Sequence, residues 1–511
     1  MLPNLNEFHE SYHSNSKPIL LLQIGLAEGR GDWVHGLEIA RHIKENFGHI
    51  YIVTAFIFPD TTGILGALEA KPYVDKFKKE FLEDEGNSMY KLSKNDFFDY
   101  LYDGYALGTA KITELYKDFI QQTPNIHAEI IISYLMSCII EDRTMETKFN
   151  TILMAEYGAG MGYKHLYERN WHNFCIINLA MGFGEKCNGI RIYSNDNEAN
   201  YWEELKKQNI DLYNKLFINT NNYETYHQSR TLLPGDLRNI WAILNFIKIN
   251  CIIYGGKCDF YLPKKYLEQE YIDIEWSSVT LRNMIGNTFE REDCDKFNKI
   301  FNNQDNYTKE KLQDELSIYC EKYGIPCKDI LKPVQEIIRD FCVQHQVDCK
   351  FVSPGSSDTE ADLTENPNCI RFFLGFELTD DLYKGLYLYN QGASAGISGD
   401  DGWSLAISSN NLPFHGNRNV VQSQVFGDFV KLAESLDLQC LKKYLQCFAW
   451  YTSINLLIHL EPIITNPSEI KKILKEYSIL TEHVKVKLNI FHKLCQHLEL
   501  LKPQPNTRIS L

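Results

Sequence analysis

The stretch Pro18–Ile24, reading PILLLQI, constrains this chain more than any other. A continuous apolar run of that length, bounded by turn residues, reads as a strand covered on both faces. Such strands belong to parallel sheets with helices on each side. The loop Gly25-Leu26-Ala27-Glu28-Gly29-Arg30-Gly31-Asp32 follows, and then Trp33, Leu37, Ile39, Ala40 and Ile43 recur near helical spacing up to Asn46. Gly48 stops the helix, and Ile50–Phe58 is a second buried strand. A strand, loop, helix and strand in this order open an α/β domain.

The same punctuation continues along the chain. Ala128–Leu135 and Thr151–Ala155 read as strands, the second running into Glu156-Tyr157-Gly158. Arg169–Ile192 reads as irregular, aromatic and glycine-bearing, and the domain change is expected near residue 215. Pro234-Gly235-Asp236 opens a helix over Leu237–Ile249, and Cys251–Tyr254 reads as a strand ending in Gly255-Gly256. Residues 285–325 are polar and charged, as a helical insertion would be. A helix over Pro333–His345 is followed by strands at Cys349–Val352 and Ile370–Leu374 and a helix over Thr379–Tyr389. A short strand, Ala395–Ile397, then leads through Ser398-Gly399-Asp400-Asp401-Gly402 into a helix from Trp403 to Ser409, with a strand at Leu412–Phe414. From Phe429 the pattern is helical almost to the end. The expected organisation is a polar arm (1–17), a Rossmann-like domain (18–214), a second one (215–428) and C-terminal helices (429–511). The fold class is α/β, with a cleft expected between the two domains.

Composition removes several functional classes. The chain has 511 residues, enough for two or three domains. Its 44% hydrophobic and 23% charged residues exclude disorder. A formal charge of −15 repels phosphate backbones and anionic lipid, so neither nucleic acid nor a membrane surface is an expected partner. No run reaches the roughly 18 apolar residues of a spanning helix, and the N-terminus lacks a secretory pattern, so a cytoplasmic location is expected. The 14 cysteines form no C-x-x-C pair, which suits a reducing compartment. Cys251/Cys258, Cys320/Cys327, Cys342/Cys349 and Cys440/Cys447 are each seven apart, a spacing that puts both thiols on one face of a continuous helix. They read as buried thiols used as small hydrophobes. His9-Glu10-Ser11-Tyr12-His13 spells H-E-x-x-H, but it sits beside a Ser/Asn/Ser stretch with no helical pattern. A zinc protease needs that motif on a helix, so it reads as part of the arm.

Two loops carry the chemistry. Gly25, Gly29 and Gly31 allow close backbone approach, but the first loop ends in no Gly-Lys-Ser/Thr and lacks G-x-G-x-x-G spacing. Glu28 and Asp32 would repel a pyrophosphate and suit proton abstraction from an acceptor; Asp32 equally suits a helix cap. Gly29, Arg30 and Gly31 would then form the acceptor loop. In the second loop, Ser398 to Ser404 open a helix whose N–H groups can hold a diphosphate. Ser398 and Ser404 add hydroxyls, and Asp400 and Asp401 would bind hydroxyls of a sugar or ribose. Glu156, at a strand's carboxyl end, faces a cleft or forms an edge ion pair. Arg371, at the start of the IRFFL strand, pairs a phosphate or a surface carboxylate. Neither loop has the Asp-x-Asp signature of metal-dependent sugar transfer. No metal and no cofactor is expected.

This layout resembles GT-B glycosyltransferases, and the loops resemble those of bacterial protein-arginine rhamnosyltransferases. Their first loop, Asp-Asn-Phe-Gly-Asp, precedes a helix carrying Leu-Ala-Arg. Here Glu28-Gly29-Arg30-Gly31-Asp32 leads into Leu37-Glu38-Ile39-Ala40-Arg41. Their donor loop, Gly-Glu-Asp-Ser-Phe, corresponds to Gly399-Asp400-Asp401-Gly402-Trp403. The departures are Glu at 28, Gly at 402 and the long polar insertion. The resemblance implies that Asp32 is the catalytic carboxylate with Glu28 beside it, and that Asp400 and Asp401 hold the donor. It implies metal-independent, inverting transfer from a nucleotide-sugar, with a protein side chain as one acceptor class. Bacterial effector glycosyltransferases share the layout, which would mean delivery into a host cell. Two other classes compete. An NAD-type oxidoreductase or sugar-nucleotide epimerase would need G-x-G-x-x-G and an acid about 20 residues on. A non-catalytic binding protein on the same fold would show no turnover.

Overall fold

The computed structural model describes residues 19–25, 31–47, 51–57, 126–131, 150–154, 176–179, 181–183, 187–194, 197–217, 222–235, 237, 240–262, 311, 314, 318, 334–356, 369–390, 394–397, 400–415, 420–450 and 453–499. Two compact units divide the chain. The first holds residues 1–191 and 487–511, the second residues 192–486, so the chain leaves the first unit ahead of the change expected near 215 and returns to it at its end.

Among its described residues the first unit carries five parallel strands: β1 (Ile19–Gly25), β2 (Tyr51–Ile57), β3 (Ile126–Ile131), β4 (Asn150–Leu153) and β5 (Ile176–Asn178). Their order is β2-β1-β3-β4-β5. Leu20 and Leu22 of β1 are fully buried, as the unbroken apolar run requires. Between β1 and β2 runs α1 (Gly31–Asn46), whose Ile39, Ala40 and Ile43, with Phe47 just beyond, are buried at helical spacing. β5 lies inside the stretch expected to be irregular.

The second unit opens with three helices the periodicity did not announce: α2 (Glu198–Gln208), α3 (Ile210–Phe217) and α4 (Tyr223–Ser229). Then come β6 (Thr231–Pro234), α5 (Ile240–Tyr254) and β7 (Cys258–Leu262). Cys251–Tyr254, expected as a strand, is the last turn of α5. Nothing interrupts the apolar helix before Gly255, and a short apolar run alone cannot distinguish the two structures. Of residues 285–325, Lys311, Asp314 and Ile318 are described, all three helical. The pattern then follows expectation: α6 (Val334–Gln344), β8 (Cys349–Val352), β9 (Ile370–Leu374), α7 (Asp380–Leu388), β10 (Ser394–Ile397), α8 (Asp400–Ser408) and β11 (Leu412–His415).

β6, β7, β9 and β8 form one parallel sheet in that order, and β10 pairs with β11 in parallel. A parallel bridge between Gly235, just past β6, and Gly396 of β10 joins the two. The row therefore reads β8-β9-β7-β6-β10-β11, and its order reverses between β6 and β10. Phenylalanines tie it together. Phe351 stacks on Phe372 and Phe372 on Phe260, with ring centroids 5.2 Å apart in each pair. Phe246 of α5 meets Phe260 at 5.7 Å and Phe414 of β11 at 5.3 Å. Burial of each such ring stabilises the fold by roughly 1.5–3 kcal/mol.

The chain continues through α9 (Val420–Ser435), α10 (Gln439–Trp450), α11 (Ser453–Ile464) and α12 (Pro467–Lys487) to α13 (Ile490–Glu499), which belongs to the first unit. Two backbone bonds seat it there: Ile190 N–H to the Leu488 carbonyl at 2.8 Å, and Ile490 N–H to the Ile190 carbonyl at 2.9 Å. Gly189 makes this approach possible. Its φ is +107, and a Cβ there would lie 1.9 Å from the Leu488 carbonyl oxygen. His42 of α1 stacks on Phe491 at 4.4 Å and meets Cys495 Sγ at 3.1 Å. Among the described residues, no helix is long and apolar enough to cross a membrane.

The paired cysteines do not share one arrangement. Cys440 and Cys447 both lie on α10, as the helical spacing implies. Cys251 and Cys258 instead join the end of α5 to β7, and Cys342 and Cys349 join the end of α6 to β8. Cys320/Cys327 and the H-E-x-x-H segment lie outside the described residues.

Candidate functional site

In open parallel sheets, ligands bind beyond the carboxyl ends of the strands, where the strand order reverses. In the second unit that place is the end of β6 and β10, and the chain leaving β10 enters α8 two residues later. The first N–H groups of an α-helix have no partner inside it and carry the positive end of its dipole. α8 thus turns an anion-binding end toward the reversal point. Ser398 and Gly399 lie outside the described residues; Asp400 begins α8.

Gly402 lets α8 close on the strand that feeds it. A Cβ there would sit 2.9 Å from Ile397 Cβ, tighter than real side chains tolerate. Ser404, one turn in, is fully buried, and its hydroxyl makes no hydrogen bond among the described residues. Buried hydroxyls are nearly always bonded, so this orphan marks a place where a polar group belongs. Asp401 is held by Tyr193, whose hydroxyl donates to Oδ1 at 2.5 Å. The Tyr193 backbone N–H donates to Ser408 Oγ at 2.9 Å, so this tyrosine runs along two turns of α8. Lys384 Nζ stands 5.2 Å from the centre of the Tyr193 ring and brings a positive charge beside Asp401's partner. Tyr193 and Lys384 were not legible as site residues, since neither sits in a loop with a recognisable spacing.

Two expected donor-binding side chains are placed elsewhere. Trp403 points into the core, fully buried against Phe426 and Phe429 at 4.7 and 5.2 Å, so only its backbone faces the helix end. Arg371 does not face the site. It is the second residue of β9, near the amino end of the sheet, and its guanidinium is taken up by Asp259. It also donates to the carbonyls of Lys215 and Leu216 at 3.1 and 3.2 Å, the last turn of α3. A cation at a helix C-terminus is favoured by the dipole. Arg230 approaches the other side of Asp259 at 2.6 Å, and Tyr226 donates its hydroxyl to it at 2.8 Å. Burial resists ionisation of Asp259, but the guanidiniums of Arg371 and Arg230 outweigh it and hold the carboxyl at about 2. This cluster is a structural tie.

In the first unit the order β2-β1-β3-β4-β5 reverses between β1 and β3, so the chain leaving β1 also enters a reversal point. Glu28, Gly29 and Arg30 lie outside the described residues, as does Glu156, two residues past Met154. Gly31 and Asp32 are the first two residues of α1, which puts Asp32 inside the first turn. One turn further, His35 is fully buried. Its ring approaches the Met154 backbone without a well-aligned hydrogen bond. The first turns of α1 and the end of β4 therefore meet. Asp32 and His35, three apart, share a helix face, a spacing that could have drawn attention to the histidine.

Burial, with the nearby Arg191 charge adding to it, holds the His35 imidazole well below its usual pKa, against a smaller pull from the Met154 backbone. The folded protein thus keeps His35 neutral, while the unfolded chain protonates it below about pH 6.5. Stability is complete above that pH and falls as the pH drops, by up to about 1.4 kcal/mol per pH unit for one such group. Urea unfolding at several pH values should show a shallower loss below about pH 6.5 in His35→Gln than in the parent. Parallel curves would mean that His35 takes up its proton as readily in the fold as in the unfolded chain.

The class defined here is an α/β protein with two parallel sheets, each turning from strand to helix where its strand order reverses. No family model matches the chain. No curated protein matches it in sequence. Among solved structures it is similar to a UDP-glucosyltransferase from Polygonum tinctorium, at 8% identity over 96% of this chain and 100% of that one, with a TM-score of 0.43. It is also similar to a sucrose-phosphate synthase from Thermosynechococcus elongatus, at 8% identity over 95% and 99% of the two chains and a TM-score of 0.40. A third likeness is to the N-terminal domain of Candida albicans trehalose-6-phosphate phosphatase, at 9% identity over 96% and 97% and a TM-score of 0.38. Likenesses this distant carry no weight for chemistry, which rests on the residues themselves.

Proposed function

We propose that this chain is a GT-B glycosyltransferase that moves a sugar from a nucleotide-diphosphate donor to an acceptor, by inversion and without metal. The observation that carries this reading is the N-terminus of α8 at the reversal point of the second sheet, with the orphaned Ser404 hydroxyl one turn inside. A diphosphate leaving group gains negative charge as its bond to the anomeric carbon breaks. Free N–H groups and a helix dipole stabilise that charge most in the transition state. Tyr193 holds Asp401 beside the helix end. The first unit supplies the acceptor side, with Asp32 taking the proton of the attacking hydroxyl or amide and Glu28 and Glu156 as its carboxylate neighbours. Attack opposite the leaving diphosphate inverts the anomeric carbon. The acceptor class includes protein side chains, and an effector role would add delivery into a host cell.

Incubation with a panel of UDP-, GDP- and dTDP-sugars, read as nucleotide release, tests the activity. Binding without any turnover would leave a non-catalytic protein on the same fold. Calorimetry tests the donor loop: Gly402→Val, which drives a branched side chain into Ile397, and Asp401→Ala, which removes the carboxylate that accepts from the Tyr193 hydroxyl, should each weaken nucleoside diphosphate binding. Affinity equal to the parent in both variants would remove the diphosphate from this loop.

Metal independence has its own test. The expected result is full transfer after EDTA treatment, because the helix end and the hydroxyls take the role of a divalent cation. Complete loss, restored by Mg²⁺ or Mn²⁺, would point to Asp400 and Asp401 as cation ligands and overturn the mechanism.

A further inference from the structure

The return of the chain to the first unit places a thiol against an imidazole. Sγ of Cys495 on α13 lies 3.1 Å from Nε2 of His42 on α1, although the two are 453 residues apart in sequence. The imidazole is held from two sides. Phe491, one turn before Cys495 on the same face of α13, stacks on it with centroids 4.4 Å apart. The Asn46 amide, one turn further along α1, donates to the His42 carbonyl at 2.9 Å and approaches Nδ1 at 3.4 Å. An amide nitrogen only donates, so Nδ1 accepts and the ring proton sits on Nε2, the nitrogen that faces the sulfur. Burial, with the nearby His492 adding to it, holds His42 below its usual pKa, so the ring is neutral and this one N–H is what it presents to Cys495. Both members of the pair are half-buried, and Gln496 beside Cys495 is exposed, so the pair lies at the rim of the helix contact.

We propose that Cys495 is a reactive thiol, activated by His42, that forms a mixed disulfide with a low-molecular-weight disulfide and so unseats α13 from α1. An N–H aimed at a sulfur stabilises the thiolate over the thiol, and the thiolate is the nucleophile. The Cys495 thiolate, its proton given to water, attacks one sulfur of the disulfide. A new S–S bond forms, the old one breaks, and the departing thiolate takes up a proton. Cys495 is oxidised, the leaving half of the reagent is reduced, and a free thiol reverses the step. Phe491 and Cys495 face His42 side by side, so a group carried on the sulfur has to enter the space between the two helices.

Three other thiols provide an internal contrast. Cys258 donates to the Gly255 carbonyl at 3.3 Å, Cys447 to the Lys443 carbonyl at 3.4 Å and Cys369 to the Ile370 carbonyl at 3.6 Å. A carbonyl only accepts, so each of these bonds needs the proton on the sulfur. Burial raises the Cys369 thiol and pushes Cys447 up to about 11, which leaves little thiolate at neutral pH.

The reduced full-length protein is incubated with oxidised glutathione at neutral pH and mapped by mass spectrometry. The expected result is a first mixed disulfide at Cys495, ahead of Cys258, Cys369 and Cys447, with faster hydrogen exchange in the α1 and α13 peptides of the adduct. His42→Phe keeps a ring against Phe491 but has no N–H, and should slow the reaction at Cys495 by about three- to tenfold. A first adduct at a carbonyl-bonded thiol, or none at Cys495, would overturn the proposal. An unchanged rate in His42→Phe would remove His42 as the activator, and unchanged exchange in the adduct would overturn the unseating of α13. The map of the parent protein decides the site even where the variant fails to fold.

Discussion

Asp32→Asn is expected to yield a folded protein that binds nucleotide-sugar and transfers almost none of it, with turnover down by about 10²–10⁴-fold. The position of Asp32 makes this a clean experiment. It is the second residue of α1, so its contribution to the fold is the dipole effect of an acid in a first turn, about 0.3–1 kcal/mol. Asparagine keeps the size and hydrogen-bonding capacity of the side chain but cannot accept the proton. A small change in thermal midpoint beside a large change in turnover would assign Asp32 the base role. Near-normal transfer would make Asp32 structural, and the base would then be sought at Glu28, at Glu156 or at the neutral imidazole of His35.

The largest stability effect is expected at Asp259. Asp259→Asn takes from Arg230 and Arg371 the buried carboxylate that both of them pair with. Removing one partner from a buried ion cluster costs about 3–5 kcal/mol, because the remaining charges stay desolvated. Urea unfolding should show the midpoint falling with an unchanged slope. The acid limb gives a second signature. The folded carboxyl sits at about 2, below the roughly 3.9 of an unfolded chain. Its stabilisation is present above about pH 4 and is lost as the pH falls toward about 2, on the order of 2–3 kcal/mol in total. The variant should lack that part of the acid loss. A change below about 1 kcal/mol, the level of an exposed pair, would mean that water reaches the cluster.

The elements that were legible in the sequence are those with local signals. β1 and β9 are unbroken apolar runs between polar turns, and β9 is buried at every position. α7 was marked by Thr379, whose hydroxyl accepts from the Leu382 N–H at 3.5 Å as its cap. The end of α5 was misread as a strand, and β7 was missed, because the boundary between them depends on where Gly255 lets the chain turn. Arg371 was misassigned for a reason visible in hindsight. The second residue of a five-residue parallel strand lies near its amino end, away from where open sheets bind ligands. A strand buried on both faces offers no alternation to say where its one charged side chain goes. Trp403 was read as the first residue of its helix and a donor contact, but a helix starting at Asp400 turns it onto the core. The start of α8 followed from its glycines, while its neighbours Tyr193 and Lys384 come from distant sequence and depend on tertiary structure. Glu28 and Glu156 lie outside the described residues, and of the site residues expected on the first loop only Gly31 and Asp32 are placed, at the start of α1.

The bond between Ile190 and Leu488, closed over Gly189, sets an order for synthesis on the ribosome. The second unit is one continuous stretch, residues 192–486, and can finish as it emerges. The first cannot, because Ile490, Leu494 and Leu498 of its core arrive with the last segment. At about 5–20 residues per second, translating the 192–486 stretch takes roughly 15–60 s. Through that interval the α1 face around His42 has neither Phe491 nor Cys495 against it. Nascent chains with such exposed apolar surface are the ones that recruit chaperones, and here the call for one comes from the half of the protein that is made first.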